Sequence, residues 1–249
     1  MSTDSREVLT RPAPPPDATF SYGPHPDHVI DVRLPSRVPA PLVVMIHGGF
    51  WRSEYDRTHT GPLTHALASE GYVVAIPEFR RTGQEGGGWP GTFDDVAAAL
   101  DAVPGLLAPY SAEPPLVLGH SAGGHLAVWA ASRTPGLRAV ISLAGCVDLA
   151  LCSTLGLGDG ATDLLLGGTP DSVPDRYALT DPASLPTPSA PVTLVHGTAD
   201  DRVPIAVSRS YAARTGVPLI ELPDVGHFAL IDPLSAAWPR VLGCLSDSG

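Results

Sequence analysis

The chain has 249 residues, of which 43% are apolar and 16% are charged, and its formal net charge is −11. This composition supports one large core and excludes an acidic disordered protein, and the spread negative charge argues against a surface for nucleic acid or anionic membranes. All 15 basic residues are Arg, which excludes lysine Schiff-base chemistry and a phosphate-loop lysine. Because the charge pattern disfavours nucleic acid and anionic membranes, the expected partners are small molecules.

The first segment is a Pro-rich N-terminal stretch. Residues 1–17 end in Pro-Ala-Pro-Pro-Pro-Asp, a composition that resists helix formation and sheet pairing, so we expect a flexible arm before a single domain over residues 18–249. The stretch lacks the apolar core of a signal peptide, and no apolar run approaches the length of a membrane span. We therefore expect a cytoplasmic protein without a membrane partner. We expect a monomer or a homodimer.

The following segments alternate between strand and helix patterns. Two short runs at 18–22 and 29–34 surround a turn-rich hexapeptide and predict an antiparallel edge hairpin. Continuous apolar runs then predict buried strands, with helical spacing between most of them, at 42–46, 72–76, 115–118, 137–143 and 191–195. Repeated alternation of this kind is typical of an α/β fold, with a parallel, doubly wound sheet and helices on both faces.

The strand pattern at 42–46 ends in the pentapeptide His-Gly-Gly-Phe-Trp at 47–51. Glycines just beyond the carboxyl end of a strand free backbone amides that can face a developing negative charge. We predict an oxyanion hole formed by the amides of Gly49 and Phe50 together with the amide of Ala122. A Gly-Gly turn capped by His47 is the alternative interpretation.

The stretch 119–124, Gly-His-Ser-Ala-Gly-Gly, lies between a strand pattern and a helix pattern. Small residues two before and two after a serine at such a junction allow a turn so sharp that the hydroxyl is exposed at its tip. The pentapeptide alone is also compatible with an ordinary Gly-rich turn, because the chain contains 26 glycines. The strand before it and the helix after it favour Ser121 as a nucleophile.

A serine hydroxyl needs a base within hydrogen-bond reach and an acid that holds this base in one tautomer. Asp200 follows the predicted strand at 191–195 and His227 follows a short predicted strand at 217–222, in the chain order serine, acid, histidine. We therefore predict a triad of Ser121, Asp200 and His227. The alternative acids are Asp201 and, after the preceding strand, Asp148. The alternative bases, whose other role is packing and loop bracing, are His47, His120, His125 and His196.

Residues 146–190 interrupt the alternation with short helical pieces and proline-rich turns. An insertion after the carboxyl end of a strand is positioned to cover a site, so we predict a small cap that shapes substrate choice. The three cysteines, Cys146, Cys152 and Cys244, show no C-x-x-C spacing. We therefore expect neither a disulfide framework nor a metal site.

Together these motifs resemble the α/β-hydrolase superfamily, and within it the esterase and arylformamidase branch that includes kynurenine formamidase. The resemblance extends from about residue 18 to the end and rests on HGGFW at 47–51, GHSAGGHLA at 119–127, HGTADDRVP at 196–204 and GHF at 226–228. The family's acid position, Asp-x-x-Val-Pro, selects Asp200. The resemblance implies an α/β-hydrolase fold and hydrolysis without a cofactor, through an acyl-enzyme, of small esters or aryl formamides.

Phe50 and Trp51 follow the oxyanion glycines, where aromatic rings either line an acyl or aryl pocket or belong to the core. We expect Gly48, Phe50, Trp51 and His120 to contact the substrate. The alternative functions are a general carboxylesterase, a hydrolase of small amides or peptides, and a non-catalytic ligand-binding protein of the same fold.

Overall fold

The computed structural model describes residues 6–247. One eight-stranded sheet lies between two layers of helices. The strands are β1 (Ala18–Ser21), β2 (Val29–Arg33), β3 (Leu42–Ile46), β4 (Val73–Pro77), β5 (Leu116–His120), β6 (Ala139–Leu143), β7 (Val192–Gly197) and β8 (Leu219–Leu222). The α-helices are α1 (Gly61–Ser69), α2 (Gly91–Leu107), α3 (Ala122–Ala131), α4 (Leu149–Thr154), α5 (Leu157–Leu166), α6 (Pro174–Thr180), α7 (Ala206–Thr215) and α8 (Trp238–Ser246). Short 3-10 helices lie at Arg6–Leu9, Arg57–Thr60, Pro182–Ser184 and Phe228–Ile231.

The strand order across the sheet is β1-β2-β4-β3-β5-β6-β7-β8. β1 and β2 pair antiparallel, with Ala18 opposite Val32, and β2 pairs antiparallel with β4. The remaining neighbours, from β4 to β8, pair in parallel. The predicted edge hairpin and the doubly wound, mostly parallel sheet are confirmed. Because β3, β5, β7 and β8 end at the same edge of the sheet, the segments that carry the predicted site residues converge there.

The central strands are apolar at every position because helices cover both faces of the sheet. All residues of β3 and β4 are buried. In β3, Val44 and Ile46 pack in the core layer that contains α2 and α3, whereas Val43 and Met45 pack in the opposite layer with α1 and α8. This alternation follows from the two-residue period of a strand. The loops at the carboxyl edge therefore extend from strands that are packed tightly on both faces.

The helices of the described chain are short. The longest, α2, has 17 residues and buries Phe93, Val96 and Leu100 against the sheet. None of the helices within residues 6–247 combines the length and the apolar character needed to cross a membrane.

The N-terminal segment differs from the predicted flexible arm. Its described part, residues 6–17, packs on the domain, and the remainder lies outside the described residues. The 3-10 helix Arg6–Leu9 buries Val8 completely. The Arg11 guanidinium binds both carboxylate oxygens of Asp232, at 2.5 and 2.9 Å. The Pro-rich composition excludes regular structure, but it does not prevent one apolar and one charged side chain from anchoring the segment.

The predicted cap region, residues 146–190, folds as α4, α5 and α6 after the carboxyl end of β6. Two buried carboxylates organise it. The Asp148 side chain caps the N terminus of α4 and accepts a hydrogen bond from Ser210 at 2.6 Å. Asp181 accepts from the amides of Leu149 and Ala150 at 3.0 and 3.1 Å. Asp148, an alternative acid by sequence, is therefore engaged in folding this region.

Candidate active site

Ser121 lies at a sharp turn between β5 and α3. Its backbone angles, φ 57° and ψ −121°, fall in a region that non-glycine residues rarely adopt. A Cβ at Gly119 would lie 2.2 Å from the Gly123 oxygen, and a Cβ at Gly123 would lie 2.0 Å from the Ile46 oxygen. Only glycine fits at these two positions, so the G-x-S-x-G spacing places Ser121 at the carboxyl end of β5, directly before the first turn of α3.

Asp200 and His227 meet although 27 residues separate them in the sequence. The Nδ1–H of His227 donates to Oδ2 of Asp200 at 2.7 Å. Oδ1 of Asp200 accepts from the amides of Arg202 and Val203, each at 2.8 Å. Both side chains of the pair are buried, with 4% of His227 and 0% of Asp200 exposed. The structure thus brings the predicted base and the predicted acid into contact.

The Asp200 carboxylate is held in its charged form. Burial by itself would raise the pKa of Asp200, but hydrogen bonds from His196 and His227 outweigh it and hold this pKa well below its usual range. The neighbouring Asp201 differs, because 68% of its side chain is exposed and it pairs with Arg202 at 3.2 Å. Of the two adjacent aspartates, Asp200 therefore supports the imidazole and Asp201 faces solvent.

Ser121 and His227 line the same cavity, which has a volume of about 270 Å³. This volume is near the lower limit of the range of about 300–1,000 Å³ that is usual for small-molecule sites. Gly49, Phe50 and His120 line the cavity too. The nucleophile and the base predicted from sequence thus share one small pocket at the carboxyl edge of the sheet.

The loop after β3 has an unusual backbone. Gly49, Phe50 and Trp51 have φ angles of 112°, 51° and 55°, so three consecutive residues adopt left-handed conformations. Gly49 and Phe50 form part of the cavity wall beside Ser121. Ala122 is the first residue of α3, and an amide in the first turn of a helix has no partner within the helix. The three predicted oxyanion residues therefore lie on the two segments that flank the nucleophile.

A buried imidazole and a buried carboxylate support this loop. His47 lies with Nδ1 2.9 Å from the Gly48 oxygen and Nε2 2.9 Å from Oε1 of Glu78. Both ring nitrogens thus face oxygen atoms of the chain. Burial by itself would raise the pKa of Glu78, but the attraction of His47 and Arg81 lowers it to about 2. The ionised Glu78 thus fixes His47, and His47 fixes the Gly48 carbonyl.

Two of the four predicted substrate contacts lie away from the cavity. Gly48 is buried behind the nucleophile, where a Cβ would lie 2.9 Å from the His120 oxygen. Trp51 is 2% exposed, and its ring packs 5.3 Å from that of His125 in the core. Phe50 and His120 do line the cavity, whereas Gly48 and Trp51 do not. The left-handed backbone turns the Trp51 ring into the core, and the buried position of Gly48 keeps it out of the cavity wall.

The alternative base candidates have structural partners. His120 donates through Nε2 to the carbonyl oxygen of His227 at 3.1 Å, and burial lowers the pKa of His120 well below its usual range. His125 donates through Nε2 to the Thr180 oxygen at 3.0 Å, and burial lowers its pKa to about 4. His196 binds the Ser208 hydroxyl at 2.7 Å. These rings hold neighbouring segments in place, which is the packing and bracing role that the sequence analysis gave as the alternative to catalysis.

Several residues of the cavity wall were not predicted from the sequence. Arg202 and Phe228 lie within the motifs at 196–204 and 226–228, and Arg52 directly follows the motif at 47–51, so position in or next to a motif could have found these three. The others come from segments without a recognisable local signal. The unpredicted residues are Arg6, Leu9, Arg52, Tyr55, His59, Gly158, Asp159, Arg202 and Phe228.

The reactive groups at the cavity are the Ser121 hydroxyl and the His227 imidazole. Within the described part of the chain, no group of three or more His, Cys, Asp and Glu side chains is arranged to hold a metal ion. The three cysteines are buried, and none of them forms a disulfide within the described residues.

Sequence comparison identifies one family and several relatives. The sequence model of the family described as BD-FAE matches residues 30–214. The esterase LipC of Mycobacterium tuberculosis is 26% identical over 242 residues, which is 85% of this chain and 59% of LipC. The chain spans less than two thirds of the length of the curated relatives it matches first.

Comparison of structures shows the fold. A truncated carbohydrate esterase from gut microbiota superposes with a TM-score of 0.81 at 19% identity, covering 94% of this chain and 99% of that one. Esterase B from Lactobacillus rhamnosis, with a tributyrin phosphonate inhibitor, superposes with a TM-score of 0.78 at 18% identity, covering 97% and 89%. The predicted α/β-hydrolase fold is confirmed.

Proposed function

The chain belongs to the BD-FAE family, and from this premise we propose that it is a serine hydrolase that cleaves small carboxylic esters or aryl formamides. One observation carries the proposal. The buried Asp200 carboxylate holds His227 at 2.7 Å, and His227 shares a cavity with Ser121 at its strained turn. A serine, a charged acid and an imidazole, in this chain order, are the parts that nucleophilic acyl transfer requires.

In the proposed reaction, Ser121 Oγ attacks the carbonyl carbon while Nε2 of His227 takes the hydroxyl proton. Asp200 keeps the imidazole in the tautomer that leaves Nε2 free to accept, because its Oδ2 is bound by Nδ1–H. The imidazolium then protonates the leaving alcohol or amine, and an ester forms on Ser121. Water attacks this acyl-enzyme with His227 as base, which releases the acid and restores the hydroxyl.

The negative charge on the former carbonyl oxygen is stabilised by the amides of Gly49, Phe50 and Ala122. The first-turn position of Ala122 supports this role, because amides there are free and carry the positive end of the helix dipole. The left-handed loop at Gly49 and Phe50 supports it from the other side of Ser121. Such preorganised donors contribute about 2.7–4 kcal/mol each to transition-state stabilisation.

The substrate class within this chemistry divides into two candidates. The HGGFW motif supports small aryl formamides, of the kind that kynurenine formamidase hydrolyses. The curated name of the relative LipC and the esterases with the same fold favour a general carboxylesterase. The small cavity of about 270 Å³ supports short acyl groups in both cases.

Steady-state kinetics of the wild type and Ser121→Ala on a panel of substrates test the proposal. The panel contains 4-nitrophenyl esters of increasing acyl length and N-formylkynurenine. We expect Ser121→Ala to reduce kcat by at least about 10⁴-fold while its thermal unfolding stays cooperative. Wild-type rates in a folded Ser121→Ala variant would refute the proposal. Hydrolysis of the esters without hydrolysis of the formamide would decide for a general carboxylesterase.

A further inference from the structure

The cavity carries positive charge although the chain has a net charge of −11. Arg6, Arg52 and Arg202 line it, and Asp159 is the one carboxylate among the described lining residues. The buried imidazole of His59 adds no positive charge at neutral pH, because burial lowers its pKa to about 4. The wall thus has a surplus of guanidinium groups, opposite in sign to the protein as a whole.

Packing of the N-terminal 3-10 helix holds Arg6 at the cavity. Arg6 begins the 3-10 helix Arg6–Leu9, which is fastened by the completely buried Val8. The Arg6 guanidinium carbon lies 5.5 Å from the centre of the Phe228 ring, and Phe228 directly follows His227. An arginine on an aromatic face keeps its hydrogen-bond donors available in the ring plane of the guanidinium. The N-terminal segment therefore presents a cation beside the imidazole.

Arg52 contributes a second cation to the cavity wall. Its Nη2 donates to the carbonyl oxygen of Gly158 at 2.5 Å, which ties the loop after β3 to the insertion. A carbonyl oxygen carries no formal charge, and no carboxylate of residues 6–247 forms an ion pair with Arg52. The positive charge of Arg52 is therefore not neutralised within the described chain.

Arg202 is the third cation, and it differs in being paired. Its Nε lies 3.2 Å from Oδ1 of Asp201, and 38% of its side chain is exposed. The Asp201 carboxylate cancels part of the Arg202 charge, so Arg202 adds less to the potential of the cavity than the other two arginines. Arg6 and Arg52 are therefore the groups best placed to bind an anion.

We propose that the site selects esters or amides that carry a carboxylate, which Arg6 and Arg52 bind at the cavity wall while Ser121 attacks the scissile carbonyl. This inference rests on the proposed function. Guanidinium groups match the planar carboxylate with paired hydrogen bonds, and such charge-assisted bonds are stronger than bonds between neutral groups. In a protein that repels anions overall, local arginines also raise the concentration of an anionic substrate at the site.

Two pairs of substrates, alike except for the carboxylate, test this inference. In the acyl pair, 4-nitrophenyl hexanoate is compared with the 4-nitrophenyl monoester of adipic acid. In the leaving-group pair, 4-acetoxybenzoate is compared with its methyl ester. For each pair we take the ratio of kcat/KM for the anionic substrate to kcat/KM for the neutral one. The pair whose ratio responds to the arginines identifies the end of the substrate that bears the carboxylate.

The variants change the charge at the cavity or away from it. Arg6→Gln and Arg52→Gln should each lower the ratio by about fivefold in at least one pair, and Arg52→Lys should restore most of the loss. Arg214→Gln is the matched control, because Arg214 is exposed in the last turn of α7 and does not line the cavity. It should leave the ratio unchanged. Salt at about 0.5 M should lower the wild-type ratio through screening.

The outcomes separate this inference from the proposed function. Ratios that stay within about twofold of the wild type in both Gln variants would overturn the inference, and Arg6→Gln decides alone if Arg52→Gln does not fold. The proposed function remains supported even when the inference is overturned, provided that the wild type hydrolyses the neutral esters and Ser121→Ala does not. If no ester or amide is hydrolysed in a Ser121-dependent way, the proposed function itself is wrong.

Discussion

Replacing Asp200 by Asn changes one carboxylate oxygen into an amide nitrogen. Oδ1 keeps its bonds from the amides of Arg202 and Val203, both at 2.8 Å, so the loop retains its shape. The amide nitrogen then faces Nδ1 of His227, which lies 2.7 Å from Oδ2 in the native protein. Because an amide nitrogen only donates, the ring must carry its proton on Nε2. In that tautomer His227 cannot accept a proton from Ser121.

The size of the effect follows from losing the base in its active form. We expect kcat to fall by about 10⁴-fold, which corresponds to about 5.5 kcal/mol of transition-state stabilisation. The fold loses less, since only the charge-assisted bonds to Oδ2 change, and we expect a destabilisation of about 1–3 kcal/mol. A large kinetic loss with a modest stability loss distinguishes a tautomer effect from unfolding.

The assay measures kcat and KM for 4-nitrophenyl acetate, with thermal unfolding of each variant in parallel. Asp201→Asn is the matched control, because it makes the same chemical change at a side chain that is 68% exposed. We expect it to stay within about twofold of the wild type. The reasoning is refuted if Asp200→Asn retains more than about a tenth of the wild-type kcat, or if Asp201→Asn shows the larger loss.

Three further predictions concern the supports of the site. Gly123→Ala should abolish activity and lower the free energy of unfolding by more than about 3 kcal/mol, because its Cβ would lie 2.0 Å from the Ile46 oxygen. Gly243→Ala is the control and should be tolerated, because a Cβ at Gly243 would have no atom within 4 Å. Urea unfolding compares the two variants. Trp51→Phe should lower the free energy of unfolding by about 1–2 kcal/mol and leave KM within about twofold, and a large rise in KM would restore Trp51 as a substrate contact. The folded-state pKa of Glu78 is about 2 against an ordinary value of 4.5, so its contribution to stability is present above about pH 5 and is lost as the pH falls toward 2. Thermal unfolding across this range should show a steeper decline for the wild type than for Glu78→Gln, and equal slopes would contradict the assignment.

The sheet was predictable because the signal for each central strand is local. A run such as Leu42–Ile46 is apolar at all five positions, and only a strand with both faces covered accommodates it. The rule that functional loops follow the carboxyl ends of parallel strands then brings Ser121, Asp200 and His227 to one edge. Their convergence was therefore predicted from order and spacing, although the residues lie far apart along the chain.

The N-terminal segment and Trp51 were not predictable in the same way. The burial of Val8 and the pairing of Arg11 with Asp232 depend on surfaces made by distant segments, which a Pro-rich composition does not reveal. The direction of the Trp51 ring depends on a left-handed φ of 55° at a non-glycine residue. Sequence patterns assign such an angle a low frequency, and tertiary contacts impose it here.

Motif analysis did not predict the positive charge of the cavity wall either. Arg6, Arg52 and Arg202 come from three separate segments, and no motif assigns a role in binding to any of them. The net charge of −11 pointed away from nucleic acid and anionic membranes. A surplus of positive charge at one cavity is compatible with that total, because net charge averages over the whole surface.

The most direct test of the account is the mass of the protein after reaction with a fluorophosphonate probe. Wild-type protein should gain one phosphonyl group, on the peptide that contains Ser121, and Ser121→Ala should gain none. His227→Ala should react much more slowly, because it lacks the base that activates the hydroxyl. A folded wild-type protein that does not react, or a phosphonyl group on a residue other than Ser121, would contradict the central claim that this serine is the nucleophile.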